Sequence, residues 1–235
     1  MARIRVGQSI AMIAGIVQSA DAVTLLGGAP AQPRTLDLCL SMAPVLVAAD
    51  GAAAVALAAG YLPDAVIGDF DSLDDDTRAR LPAERLHQIG DQLTTDFDKA
   101  LRNITAPLVL AAGFMGARLD HELAVYNALV RLRDRRCIVV GEHDICFHAP
   151  PELAISLTPG SRVSLFPMAC VTGESTGLRW PIGGLAFAPD GMVGTSNEAV
   201  EAEITLRMHG PGMLVILPRQ ALEAAVRALA PPAHG

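Results

Sequence analysis

Short apolar runs alternate with helix-like stretches from residue 23 to about residue 148, and most of the runs close on glycine or a carboxylate. Val23–Leu26 ends in Gly27-Gly28-Ala29-Pro30, residues 44–49 end in Asp50-Gly51, residues 65–67 run into Gly68-Asp69, and residues 108–112 end in Gly113. Residues 137–140 form a fifth run. Between them, residues 52–59 are alanine-rich and stop at Gly60. Thr94 or Thr95 can cap a helix reaching about Asn103, and residues 119–131 follow a helical pattern. Strands alternating with helices predict a parallel, doubly wound sheet with right-handed crossovers.

The pattern changes at Ala149-Pro150-Pro151. Beyond it, strand-like segments at 153–157, 162–168, 185–188, 199–208 and 213–217 are punctuated by glycine and proline, and residues 220–230 form a short helix. This predicts an α/β unit over residues 1–150 and a small all-β sandwich or barrel over 151–235.

Composition narrows the function. At 51% hydrophobic and 18% charged, the chain can bury a large core. A net charge of −7 disfavours nucleic acid and anionic membrane as partners. Cys39, Cys137, Cys146 and Cys170 form no C-x-x-C and read as reduced thiols, which predicts a cytoplasmic protein. The apolar run at 10–17, behind Arg3 and Arg5, is too short to span a membrane. It is expected to be a leading strand or helix rather than a signal segment. Lys99 is the only lysine among 18 basic residues and sits in an acidic cluster. It is there either by chance or for its compact ammonium.

Candidate chemistry collects at the strand ends. In an open parallel sheet, ligands bind beyond the carboxyl ends of the strands. Asp50, Asp69, Asp71 and Asp96 all fall at such ends or in the first turn of a following helix, and are expected to converge on one crevice. Any one alone is an ordinary cap or turn residue. Four together repel one another and call for a hard divalent cation, Mg²⁺, which takes one or two carboxylates plus substrate phosphates. Gly113–His121 is a glycine loop entering a helix, suited to phosphate through its amides, with Arg118 as a bidentate fork. Asp120 serves either as a helix-start carboxylate or in catalysis, and His121 reads as an ordinary hydrogen-bonded histidine. The Arg131–Arg136 cluster reads as a solvated helix end. No G-x-x-x-x-G-K-[ST] is present.

The segments Asp50-Gly51-Ala52-Ala53, Gly68-Asp69-Phe70-Asp71-Ser72, Asp91–Ala100, Gly113–His121, Gly177-Leu178-Arg179-Trp180 and Gly194-Thr195-Ser196-Asn197 stand in this order. Together they resemble the thiamine pyrophosphokinase (thiamine diphosphokinase) family over roughly residues 23–217. The resemblance implies a Rossmann-like domain, a β-sandwich, and pyrophosphoryl transfer from ATP to thiamine with release of AMP. It also implies Mg²⁺ on Asp50, Asp69, Asp71 and Asp96, with Asp96, Arg118 and Asp120 catalytic. Gly28, Asp50, Gly51, Gln92, Thr95, Lys99, Gly113 and Arg118 would hold ATP and its phosphates. Trp180, Ser196 and Asn197 would hold thiamine, although a core tryptophan and a turn-forming Ser-Asn are the plainer readings of those residues. A homodimer with the pocket between subunits is expected. The sequence departs from the pattern at Leu93, Phe114, Ala117 and Gly194. A pterin-alcohol pyrophosphokinase and a nucleotide-binding regulator without turnover are the alternatives.

Overall fold

The computed structural model describes residues 15–29 and 33–230. The basic N-terminus and most of the 10–17 run lie outside the described residues. The first half contains β1 (Val17–Gln18), β2 (Val23–Leu26), α1 (Pro33–Met42), β3 (Val45–Ala49), α2 (Ala52–Ala58), β4 (Ala65–Gly68) and α3 (Asp75–Ala79). It continues with β5 (Leu86–Gln88), α4 (Asp96–Arg102), β6 (Ile104–Thr105), β7 (Val109–Ala112), α5 (Leu119–Arg131) and β8 (Cys137–Val140). The second half contains β9 (Asp144–His148), β10 (Glu152–Ser156), β11 (Arg162–Pro167), β12 (Val171–Thr176) and β13 (Ala186–Phe187). It closes with β14 (Gly194–Glu198), β15 (Glu203–Met208), β16 (Met213–Pro218) and α6 (Leu222–Leu229).

The expected α/β sheet followed by a β-rich half is borne out, with one difference in how the halves meet. A single ten-stranded sheet runs in the order β14-β11-β16-β9-β8-β7-β2-β3-β4-β5. The stretch from β8 to β5 is parallel, and β9, β16, β11 and β14 continue it antiparallel. A second sheet, β10-β15-β12-β13, faces that extension. One apolar cluster joins Leu110 and Ile138 to Phe147, Leu165, Leu206 and Leu222. The β-rich half therefore grows out of the parallel sheet and shares its core.

Side-chain alternation explains the winding. Val23 and Leu25 on β2 point to a cluster with Phe97, Leu101, Val125 and Leu129 of α4 and α5. Leu26, Leu46 and Val66 point to the other face, against Leu36 of α1 and Ala52, Ala53 and Ala56 of α2. Each fully buried Leu, Ile or Val contributes about 1.5–3 kcal/mol relative to exposure. Thr24, buried among them, donates its hydroxyl to the Ala43 carbonyl at 2.7 Å. Among the described residues, no helix is long and apolar enough to cross a membrane.

Some elements differ from the sequence reading. The 199–208 segment is strand over Glu203–Met208 alone; before it the chain bends so that the Val200 N–H reaches the Gly177 carbonyl at 2.8 Å. β12 and β14 are polar strands, Val-Thr-Gly-Glu-Ser-Thr and Gly-Thr-Ser-Asn-Glu, whose hydroxyl-rich faces gave no apolar signal.

Candidate active site

The parallel strand order reverses direction between β2 and β7, which is where an open α/β sheet forms a crevice at its carboxyl edge. There the two loops touch. Gly27 N–H donates to the Ala112 carbonyl at 2.8 Å and Ala29 N–H to the Gly113 carbonyl at 2.9 Å. A Cβ on Gly27 would lie 2.4 Å from the Gly113 carbonyl oxygen, and one on Gly113 would lie 2.4 Å from that of Gly27. Only glycine permits this contact. The resulting cleft, about 450 Å³, is lined by Gly28, Asp50, Gly51, Thr95, Asp96, Gly113, Arg118 and His121 among others. Phe114, where the family pattern has glycine, packs edge-on against Phe97 with ring centroids 4.8 Å apart and forms part of the wall.

Asp50 is the most constrained acid. It follows β3 in the left-handed region at φ 46° and is only 2% exposed. Its Oδ2 accepts the Ser72 N–H at 3.2 Å, whereas buried Oδ1 has no hydrogen-bond partner. Burial, then the charge on Asp96, push its carboxyl up to about 6, with Asp71 and Asp69 adding to the rise against the Ser72 N–H. Oxygens of Asp50, Asp69 and Asp71 all lie within 4.8 Å of one another. Phe70, between the last two, is also left-handed at φ 68°, so the turn aims both flanking carboxylates the same way.

Lys99 organises the remaining charge. Its side chain is 2% exposed, and its Nζ donates to Asp69 Oδ2 at 2.5 Å and Asp96 Oδ1 at 3.2 Å. Burial opposes its charge, but these two carboxylates outweigh burial and its pKa is raised. The Lys99 bond in turn holds Asp69 below the usual carboxylate range. Asp96 opens α4, which Thr95 caps by accepting the Asp98 N–H at 3.4 Å. Asp96 lines the cleft beside Lys99 but stands outside the close three-carboxylate group. Gln92 Nε2 reaches Asp69 Oδ2 at 3.5 Å. Arg118 and Asp120, both exposed, pair at 2.6 Å, and this bond pulls the Asp120 carboxyl down to about 2.

Three contributors were not singled out by sequence. The Ser72 backbone N–H holds Asp50, Gln88 Nε2 holds the Asp69 carbonyl at 2.8 Å, and buried Asp98 ties α4 to α5 through Arg131. Gln88 sits on a three-residue edge strand with no pattern of its own. Asp98 was legible only as one more acid of its cluster.

Trp180, Ser196 and Asn197 do not join this cleft within one chain. They line a second one of about 320 Å³ with Ile182, Phe187 and Met192. Trp180 is 56% exposed, so it is not a core residue. Asn197 is 7% exposed, and its amide is engaged: Nδ2 donates to the Trp180 carbonyl at 2.7 Å, while Oδ1 accepts from the N–H groups of Trp180 and Glu198 at 3.2 and 2.8 Å.

The sequence profile of the thiamin pyrophosphokinase catalytic domain matches residues 36–140, and that of the vitamin B1 binding domain of thiamin pyrophosphokinase matches residues 145–211. The chain belongs to the thiamin pyrophosphokinase family. Thiamine pyrophosphokinase 1 of Oryza sativa subsp. japonica is 29% identical over 174 residues, and that of Arabidopsis thaliana 30% over 172. These matches take in 66% and 65% of this chain and span 65% and 64% of the respective relatives' lengths. The structure of thiamin pyrophosphokinase from Geobacillus thermodenitrificans superposes with a TM-score of 0.69 at 22% identity, covering 84% of this chain and 96% of that one. The family's two domains thus fall on the parallel and the β-rich halves described above.

Proposed function

We propose that this chain is a thiamine pyrophosphokinase that transfers the terminal pyrophosphoryl unit of ATP to the hydroxyl of thiamine, giving thiamine diphosphate and AMP. The observation that carries this reading is the buried, unpartnered Oδ1 of Asp50 beside Asp69 and Asp71, at the edge of a glycine-lined crevice. A lone carboxylate oxygen in that position is costly unless a cation satisfies it. An all-oxygen donor set fits Mg²⁺, with Asp50, Asp69 and Asp71 as its holders and Asp96 at the margin. Bound there, Mg²⁺ supplies charge neutralisation on the transferred phosphates.

The chain's own residues do the rest. The thiamine oxygen forms a bond to the β-phosphorus of ATP, the bond from that phosphorus to the α-bridging oxygen breaks, and AMP leaves with that oxygen. Gly28, Gly51 and Gly113 let phosphates approach the backbone, with Gln92 and Thr95 at the same edge. Arg118 grips phosphate oxygens in bidentate fashion. Lys99, fixed between Asp69 and Asp96, keeps a positive charge beside them. The alcohol proton goes to a carboxylate. Asp96 suits this better than Asp120, which is a weak base while Arg118 holds it near 2.

Thiamine is read to lie between subunits of a homodimer. Leu119 and Leu123 are exposed on the helix bordering the crevice, and Trp180, Met192 and Val193 are exposed on the β-rich half. Joining two such surfaces would bring the Trp180 face of one subunit to the crevice of the other, and an aromatic face suits a thiazolium cation. The proposed compartment is the cytoplasm, supported by four unbridged cysteines.

The test is purified protein with ATP, Mg²⁺ and either thiamine or a hydroxymethylpterin, with nucleotide products resolved. AMP formed one-to-one with thiamine diphosphate is expected. ADP as coproduct, turnover of the pterin instead, or binding without turnover would overturn the reading.

A further inference from the structure

A cavity larger than the crevice lies elsewhere in the fold. It measures about 660 Å³ and opens at the opposite end of the sheet. β8 begins there at Cys137, and β9 ends there at His148. The carboxylates stand at the other, carboxyl edge. Helix α5 links the two ends: it starts next to Arg118 and leads into the 133–136 segment. Its 13 residues place the two sites roughly 20 Å apart.

The lining combines charge with an apolar floor. Arg133, Arg135 and Arg136 face the cavity against one acid, Asp134, with His148 and His209 also at the wall. Pro150, Pro151, Met208 and Leu229 supply apolar surface. Neither Arg133 nor Arg136 makes an ion pair or side-chain hydrogen bond among the described residues, whereas Arg135 donates to Thr105 Oγ1 at 3.2 Å. His148 Nε2 accepts the Gly212 N–H at 3.0 Å, so that nitrogen carries no proton and the positive charge comes from the arginines. The Arg131–Arg136 cluster is largely exposed, as expected of a solvated helix end, and its residues 133–136 also line this cavity. Two uncommitted guanidiniums at a concave, half-apolar site, in a chain of net charge −7, run against the trend of the whole surface.

We propose that this cavity binds a small phosphate monoester with a flat apolar body. Two planar forks match the geometry and double charge of a phosphate better than the single charge of a carboxylate. The volume falls within the range of small-molecule pockets, and the proline–methionine floor takes the apolar part.

1-Naphthyl phosphate is the probe, titrated by calorimetry into the full chain at pH 7.5 with a chelator present. Wild type, R133A/R136A and the crevice variant D71N are compared. Both arginines are exposed, so the double variant should melt as wild type does; R133K/R136K, keeping charge without the fork, is the second measure. Saturable binding is expected in wild type and D71N, weakened about tenfold or more in R133A/R136A and less in R133K/R136K, with 1-naphthol not bound. Equal binding by wild type and R133A/R136A would overturn the proposal. So would loss confined to D71N, equal affinity for 1-naphthol, or no saturation at millimolar probe.

Discussion

Asn197 clamps Trp180 by both of its main-chain polar groups, accepting from the Trp180 N–H at 3.2 Å and donating to its carbonyl at 2.7 Å. A buried amide thereby fixes the backbone of an indole that is itself half in solvent. Asn197 was expected to touch thiamine directly; its hydrogen-bonding capacity is largely used within the chain, so on the proposed reading it would act through Trp180. Asn197→Ala should cost about 1–3 kcal/mol of stability, because it leaves buried backbone groups unpaired. Trp180→Ala, at an exposed position, should cost little. Both should raise the thiamine KM, by about 2- to 30-fold for Trp180→Ala, the worth of an aromatic face over a cation, and leave the ATP KM nearly unchanged. Urea melts and paired KM measurements check this. A rise in the ATP KM alone would remove Trp180 from the thiamine site.

If Asp50 holds the metal, it gives up stability for that role. Its unpartnered oxygen faces other carboxylates, and its backbone is left-handed, a conformation asparagine tolerates well. Asp50→Asn puts an N–H donor where the orphan oxygen sits. In a chelator the variant should melt higher than wild type, by about 1 kcal/mol. It should also lose the stabilisation that Mg²⁺ gives wild type. Thermal melts with and without Mg²⁺ decide it, and a lower melting point in chelator would show that Asp50 is satisfied by something else.

Lys99 lies between Asp69 and Asp96 with almost no exposure. Lys99→Met keeps the aliphatic volume and leaves two carboxylates without their cation. Removing one partner of a fully buried pair costs about 3–5 kcal/mol; Asp69 and Asp96 retain some contact with water, so about 2–3 kcal/mol is expected here. Added Mg²⁺ should recover more stability in this variant than in wild type. Chemical denaturation at two Mg²⁺ concentrations measures both quantities.

The cysteines separate by burial. Cys39 and Cys146 are pushed up to about 12 by burial, and burial raises Cys137 as well, while Cys170 is exposed. A raised thiol pKa keeps the unreactive protonated form across the neutral range, because pH must climb to the folded-state value before thiolate appears. At pH 8 a disulfide reagent should label one thiol per native chain, Cys170, and all four after unfolding. Fast labelling of more than one would mean that the sheet opens locally.

Periodicity and punctuation carried much of the fold. The limits of β2, α5 and β8 are readable from apolar runs bounded by glycine or charge, because those elements are buried on a regular face. What was not readable is non-local. β9 joins the parallel sheet through a local hairpin with β8, but the addition of β16, β11 and β14 depends on pairing between residues tens of positions apart, as in Leu214 with His148. β12 and β14 bury few apolar groups and so resemble loops. At the site, acids after strands were legible because topology puts strand ends together. The clamp of Asn197 on Trp180 was not, since a turn-forming Ser-Asn and a ligand-binding one have the same letters.

Asp71 offers the cleanest test of the metal reading. Unlike Asp50 it is exposed; its side chain accepts from Ser72 Oγ at 2.9 Å and stands beside the carboxylates of Asp50 and Asp69. Asp71→Asn preserves size and can keep that contact, so stability should stay within about 0.5 kcal/mol of wild type. The lost charge should then appear in turnover alone. A fall in kcat of about 10²-fold or more is expected, corresponding to about 3 kcal/mol of transition-state stabilisation. The fall should be steepest at limiting Mg²⁺, because a weaker site must first be filled. A folded Asp71→Asn with near-wild-type kcat at limiting Mg²⁺ would separate the carboxylate group from the chemistry. The orphan oxygen of Asp50 would then need another partner than the metal.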